Sequence, residues 1–311
     1  MPPFEQDLRI GLVLLSESLR RQVWRVKFEL HPIRAGHTRD ISAKYCLDWE
    51  AGVSRAGLSG GCALGTLQPL YRETIPVLDY VQSNFVPLSH LAHDWEFHAG
   101  LTLTPAEERT MIREPAQAVP DAIAGRLGKL RVLAVPYIAC LETGDVISRS
   151  KPKGEAHTAA WVEMDDRINV LLACRELDAH DTGFEFLGSV AELLRPRLTD
   201  FELAEFSRLL EEEVRIGVRG EIDEEALNAK QVYLASRNAR RHRGQFERYR
   251  DSSFVSTAAE YVHGMWHDVQ IRVGPEHLPV PQLRRRMDLM AQLFPPNPGY
   301  QVFDESLAKS E

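Results

Sequence analysis

Glu260, His263 and His267 stand in one run, Ala259-Glu260-Tyr261-Val262-His263-Gly264-Met265-Trp266-His267-Asp268. On a helix, positions three, four and seven apart share an edge. The spacing therefore aims two imidazoles at one point, as zinc and iron sites take a histidine pair one turn apart. A divalent ion, Zn or Fe, is the cofactor this pattern predicts. Glu260 suits any of three roles beside it: a further ligand, an acceptor orienting His263, or a general base and thus the catalytic residue. The His-Glu-x-x-His pattern of zinc peptidases is not met, because Gly264 follows His263. A carboxylate-bridged di-iron bundle would need a second Glu-x-x-His, and Glu260 to His263 is the single instance.

The remaining ligands must come from elsewhere. His180 and Asp181, in Arg175-Glu176-Leu177-Asp178-Ala179-His180-Asp181, are the expected donors, because strand patterns give way to helical ones there. His157 comes second, and the group His90, His93 and His98 with Asp94 and Glu96 third. A plain structural reading competes. Thr257-x-x-Glu260 has the form of a capping box. Ala258, Ala259, Val262, Trp266 and Val269 form a core stripe that the histidines flank as half-buried boundary residues.

Two further segments carry chemistry-bearing residues. Gly57-Leu58-Ser59-Gly60-Gly61 matches Gly-x-Ser-x-Gly, but neither a strand before it nor a helix after it supplies the nucleophile elbow. The segment from Arg237 to Arg250 holds Arg240, Arg241, Arg243 and Arg248 among His242, Phe246 and Tyr249, and Arg284-Arg285-Arg286 can extend it. Such a surface suits a protein partner or phosphate groups. It can equally pair with Glu211-Glu212-Glu213 or Glu224-Glu225 within the chain. The net charge of −8 favours those internal pairings and disfavours nucleic acid.

These residues need a scaffold, and 311 residues with 44% hydrophobic and 26% charged side chains can bury a sizeable core. Cys46, Cys62, Cys140 and Cys174 are widely spaced, which predicts buried thiols rather than a zinc knuckle or disulfide framework. The apolar run from Ile10 to Leu15 lacks the flanks of a signal peptide, and no stretch has the length of a membrane span, so a cytoplasmic protein is expected.

Texture divides the chain into a mixed N-terminal region (1–103), an antiparallel β region (104–175) and a helical region (176–311), which can also form one continuous domain. Trp24–Leu30 alternates like a half-buried strand, and a glycine-rich loop follows at 52–69. Thr104-Pro105-Ala106-Glu107 starts one helix, and another spans Pro120 to Leu127 and ends at Gly128. Leu130–Leu141 is strand-like, Thr143-Gly144-Asp145 suits a turn, and Thr158–Met164 with Ile168–Cys174 suggests a hairpin. Helices are expected at Phe184–Leu194, from Thr199 to Ile216, and at Glu221–Ala235, Ser253–Ile271 and Pro281–Phe294. Strands followed by helices predict an α+β fold: an antiparallel sheet in the middle of the chain, then a mostly helical C-terminal half. Two functions of different class fit: a metal-dependent hydrolase-like protein, or a non-catalytic interaction or assembly subunit using the arginine-rich helical surface.

Overall fold

The computed structural model describes residues 9–13, 73–236 and 239–302. The strand expected at Trp24–Leu30, the glycine-rich stretch at 52–69, Cys46, Cys62 and Arg237 lie outside them. Among the described residues the strands are β1 (Arg9–Val13), β2 (Thr74–Pro76), β3 (Ser89–His90), β4 (Glu96–Ala99), β5 (Leu130–Val135), β6 (Tyr137–Leu141), β7 (Gly144–Ser148), β8 (Ala156–His157), β9 (Ala159–Met164) and β10 (Arg167–Ala173). The α-helices are α1 (Val77–Val81), α2 (Pro105–Glu108), α3 (Glu114–Ala118), α4 (Asp121–Leu127), α5 (Ala179–Leu194), α6 (Asp200–Arg215), α7 (Glu224–Ala235), α8 (Ala239–Trp266) and α9 (Val280–Leu293). The fold is α+β, with sheets in the middle of the chain and a mostly helical C-terminal half. No helix among the described residues is long and apolar enough to cross a membrane.

Local chemistry explains the boundaries. Thr104 and Thr199 close capping boxes with Glu107 and Glu202, so both expected helix starts hold orphan N–H groups. Gly128 ends α4 at φ 70°, a conformation that costs glycine little. Between β9 and β10 the chain turns through Asp165 and Asp166, both left-handed at φ 51° and 58°. That two-residue turn matches the twist of an antiparallel pair, and Met164 faces Arg167 across it.

The larger sheet runs β1-β9-β10-β5-β4-β3 and the smaller β2-β7-β6-β8. Central β5 pairs in parallel with both β4 and β10, whereas β9 and β10 pair antiparallel. Strands covered on both faces read as unbroken apolar runs, and here successive residues go to opposite cores. Val132, Ala134, Val170 and Leu172 join Phe186, Leu187 and Val190 of α5. Leu133, Val135, Leu171 and Ala173 join Val77, Tyr80 and Val81 of α1 and Ile138 and Ile147 of the smaller sheet. The sheet thus fixes the first turn of α5, where His180 stands.

In the helical half, α8 begins well before Ser253 and ends at Trp266, short of the expected Ile271. Thr257 is therefore inside a helix, where its hydroxyl donates to the Ser253 carbonyl at 2.6 Å, and the expected capping box with Glu260 does not form. Charge is buried beside it. Arg286 of α9 meets Glu213 of α6 at 2.6 Å and Glu221 at 2.7 Å, and Lys230 of α7 meets Glu221 at 2.9 Å, all four side chains being fully inside. The Tyr249 hydroxyl of α8 donates to Glu221 at 2.6 Å. Buried ions persist only when paired and fully hydrogen-bonded, so this network fixes how α6 to α9 meet. Arg285 pairs with Glu212, Arg243 with Glu247 and Arg250 with Asp251, which engages these arginines within the chain.

Candidate metal centre

Helices α5 and α8 cross where Gly183 faces Trp266. A Cβ on Gly183 would lie 2.5 Å from the Trp266 ring and 2.9 Å from the Thr110 carbonyl, so a glycine permits this approach. Asp178 caps α5 by accepting the Asp181 N–H at 2.8 Å, which sets the first turn and its histidine. The crossing brings His180 Nε2 to 3.2 Å from His263 Nε2.

Each ring has a carboxylate behind it. Asp181 Oδ1 is 3.4 Å from His180 Nδ1, and Glu260 Oε2 is 3.9 Å from His263 Nδ1. Glu260 therefore stands behind His263, away from the Nε2 pair. It is buried, and its Oε1 accepts the Gln270 N–H at 2.7 Å. His263 is 1% exposed and its Nδ1 has no hydrogen-bond partner.

The expectation of two half-buried histidines gives way to an asymmetric pair: His263 faces the core, whereas His267, just past the last residue of α8, is exposed. The His267 ring is 5.0 Å from that of His180 and 5.8 Å from that of His263. Burial, then the neighbouring His180 and His263, lower the His267 pKa, which favours the neutral, ligand-competent ring. Two aromatic residues fix the group. Trp266 stacks on His180 at 5.2 Å, and Phe184 meets the His263 ring edge-on at 5.2 Å. The site opens to a cleft of about 660 Å³ lined also by Asp268, Gln270 and Gln301.

The tautomers carry the chemistry. If His263 donates from Nε2 to His180, its bare Nδ1 faces Glu260. If His180 donates instead, its bare Nδ1 faces Asp181. Each neutral arrangement sets a lone pair against a carboxylate. A cation between the two Nε2 atoms, a proton or a metal ion, lets both Nδ1–H groups point at their carboxylates. Two ligands about 2.0–2.1 Å from a tetrahedral zinc stand roughly 3.3 Å apart, close to the spacing here.

Other expected donors lie elsewhere. His93 contacts Asp121 at 3.0 Å and the Ala116 carbonyl, and His98 the Pro87 carbonyl. His157 belongs to a different group: among the described residues, the donors gathered within 4.8 Å of one another are Cys140, Asp145 and His157. His180, His263 and His267 do not form such a set of three. Sequence reasoning missed the stack of Trp266 on His180, which depends on the crossing of α5 and α8, and the seating of Glu260 by Gln270, which depends on the chain turning after α8. Comparison with protein-family models, curated proteins and solved structures finds no match.

Proposed function

We propose that the protein binds a divalent transition-metal ion, zinc or iron, between His180 and His263 and uses it in hydrolysis within the adjoining cleft. The observation that carries this reading is the pair of Nε2 atoms 3.2 Å apart, each ring backed by a carboxylate at Nδ1. Carboxylate–histidine–metal arrays have this form, because the carboxylate holds the tautomer and raises ligand basicity. His267 is a third ligand on this reading, and its exposed ring needs only to swing toward the pair. Glu260 is a positioning residue acting through His263, and Asp181 plays the same part for His180.

A metal at such a site supplies an acidified water as nucleophile and a Lewis acid for a carbonyl or phosphoryl oxygen. The chain's own part is to hold both rings, keep His263 dry and offer a polar cleft through Asp268, Gln270 and Gln301. The competing occupant is a shared proton, and metal analysis separates the two. Equilibrium dialysis of the purified full chain against Zn²⁺ and Fe²⁺ is expected to show one saturable equivalent of binding that is lost from the total in His180→Ala and weakened at least tenfold in His263→Gln. Hydrolysis of p-nitrophenyl esters or phosphates should fall with it. Unchanged binding in both folded variants, or none in the native chain, overturns the reading.

A further inference from the structure

The smaller sheet carries a second set of donors, assembled by strand register. Strands β6 and β7 pair so that Cys140 faces Asp145 directly and Ile138 faces Ile147. On the other edge of β6, His157 of β8 faces Ile138. Residues two apart on a strand share a face. Cys140 therefore lies on the face of Ile138, with Asp145 beside it and His157 diagonal to it, within reach of long side chains. Three consecutive strands each place one donor on this face, and the three ligand atoms lie within 4.8 Å of one another.

His157 makes this more than a coincidence of register. It is 8% exposed, and neither ring nitrogen has a hydrogen-bond partner. Its Nε2 is 3.3 Å from Asp145 Oδ1, yet not aligned to donate to it. A buried imidazole with both nitrogens unsatisfied is costly, and a lone pair directed at an ion shared with Asp145 relieves that cost at Nε2. The separation again matches the roughly 3.3 Å between two ligands of a tetrahedral ion.

We propose that Cys140, Asp145 and His157 form a binding site for a thiophilic divalent ion of the Zn²⁺ class, distinct from the histidine pair between α5 and α8. Thiolate, carboxylate and neutral imidazole together carry two negative charges, which a divalent ion neutralises. Binding releases the thiol proton to solvent and forms the metal–sulfur bond, with no change of oxidation state. A Cys–His–Asp nucleophile is the rival use of these residue types, and the order of contacts opposes it. Across β6 and β7 it is Asp145, not the imidazole of His157, that directly faces Cys140, so the base of such a triad does not stand next to the thiol. Three protein donors leave one tetrahedral position open. Ligation would also tie β7, β6 and β8 together across their hydrogen bonds.

Cobalt(II) titration of the reduced full chain tests this, because only thiolate ligation gives a near-ultraviolet sulfur-to-cobalt charge-transfer band. The band is expected in the native chain, in His180→Ala and in Cys46→Ser with Cys62→Ser, and is expected to vanish in Cys140→Ser. His157→Ala should weaken cobalt binding at this band at least tenfold. Should Cys140→Ser fail to fold, alkylation of the native protein with iodoacetamide decides: Zn²⁺ should protect Cys140, read by peptide mass, and should protect it less in Asp145→Asn. No band in the native chain, a band surviving Cys140→Ser, or alkylation of Cys140 indifferent to zinc overturns the proposal. Retention of the band in His180→Ala separates this site from the histidine pair.

Discussion

Trp266 lies over His180 with ring centroids 5.2 Å apart and planes 18° from parallel, and its ring stands at 87° to that of His263. One indole thus packs against both rings that face each other through Nε2. An ion between those nitrogens changes the charge on both neighbours of the indole. Cobalt(II) is therefore expected to quench tryptophan emission, and Trp266→Phe to remove most of the quench. Dialysis should still detect the bound ion, since no ligand is lost. A full quench retained by Trp266→Phe would place the ion elsewhere.

Glu260→Gln isolates the role of the carboxylate that stands behind His263. The amide oxygen of glutamine can still accept the Gln270 N–H, which Glu260 Oε1 accepts at 2.7 Å. The negative charge behind Nδ1 is lost, and removing such a partner typically weakens metal binding about 10–100-fold. Competition with a chromophoric chelator would measure it. A fold stable to thermal melting with weaker zinc binding is the expected outcome. Unaltered affinity would show that Glu260 serves only to seat the chain after α8.

The local elements of this fold were largely legible. The caps at Thr104 and Thr199, the stop at Gly128 and the Asp165-Asp166 turn each rest on a few adjacent residues whose backbone preferences agree. His180 was legible as a neighbour for His263 because it begins the first helix after the sheet. The rest depends on partners far apart in sequence. The parallel pairing of β5 with β4 and β10 follows from covering both faces, and an apolar run alone does not state it. The first half of α8 is too polar to show an apolar face, so the sequence pattern places its start at Ser253. Arg286 reads as a surface cation until Glu213 and Glu221, 73 and 65 positions away, are brought to it. Cys140, Asp145 and His157 escape notice because their meeting depends on the registers of two strand pairs.

Gly183→Ala tests whether the helix crossing sets the histidine geometry. An added methyl would meet the Trp266 ring at 2.5 Å, the Thr110 carbonyl at 2.9 Å and Pro115 at 3.0 Å. Backbone on one side and a packed indole on the other leave little room, and overpacking of this kind typically costs about 1–3 kcal/mol. The expected result is a lower Tm together with weaker zinc binding, because α5 must back away from α8 and carry His180 with it. A lower Tm with unchanged affinity would mean that the Nε2 pair tolerates the displacement.

Two carboxylates, buried Glu221 and half-buried Asp223, give stability opposite dependences on pH. Burial alone would raise the Glu221 pKa, but Arg286 and Lys230 outweigh it and hold the value down at about 2, against 4.5 ordinarily. The folded state thus binds this proton more weakly, and the stability from the ionised group is lost as pH falls from 4.5 toward 2. Glu221→Gln should flatten that acid limb. It should also destabilise the protein at neutral pH by about 3–5 kcal/mol, since Arg286 and Lys230 lose a buried partner. Asp223 behaves in reverse. Burial pushes its pKa up to about 7 from 3.8, even though its carboxylate accepts the Ala226 N–H that caps α7. Here the folded state binds the proton more tightly, so stability falls as pH rises from 3.8 to 7 and is level above. Asparagine caps a helix about as well as aspartate, so Asp223→Asn should match the native protein near pH 4 and exceed it by about 1–2 kcal/mol at pH 8. Urea melts at the two pH values measure the difference. Equal stability at pH 8 would show that the Asp223 carboxylate is not strained by its burial.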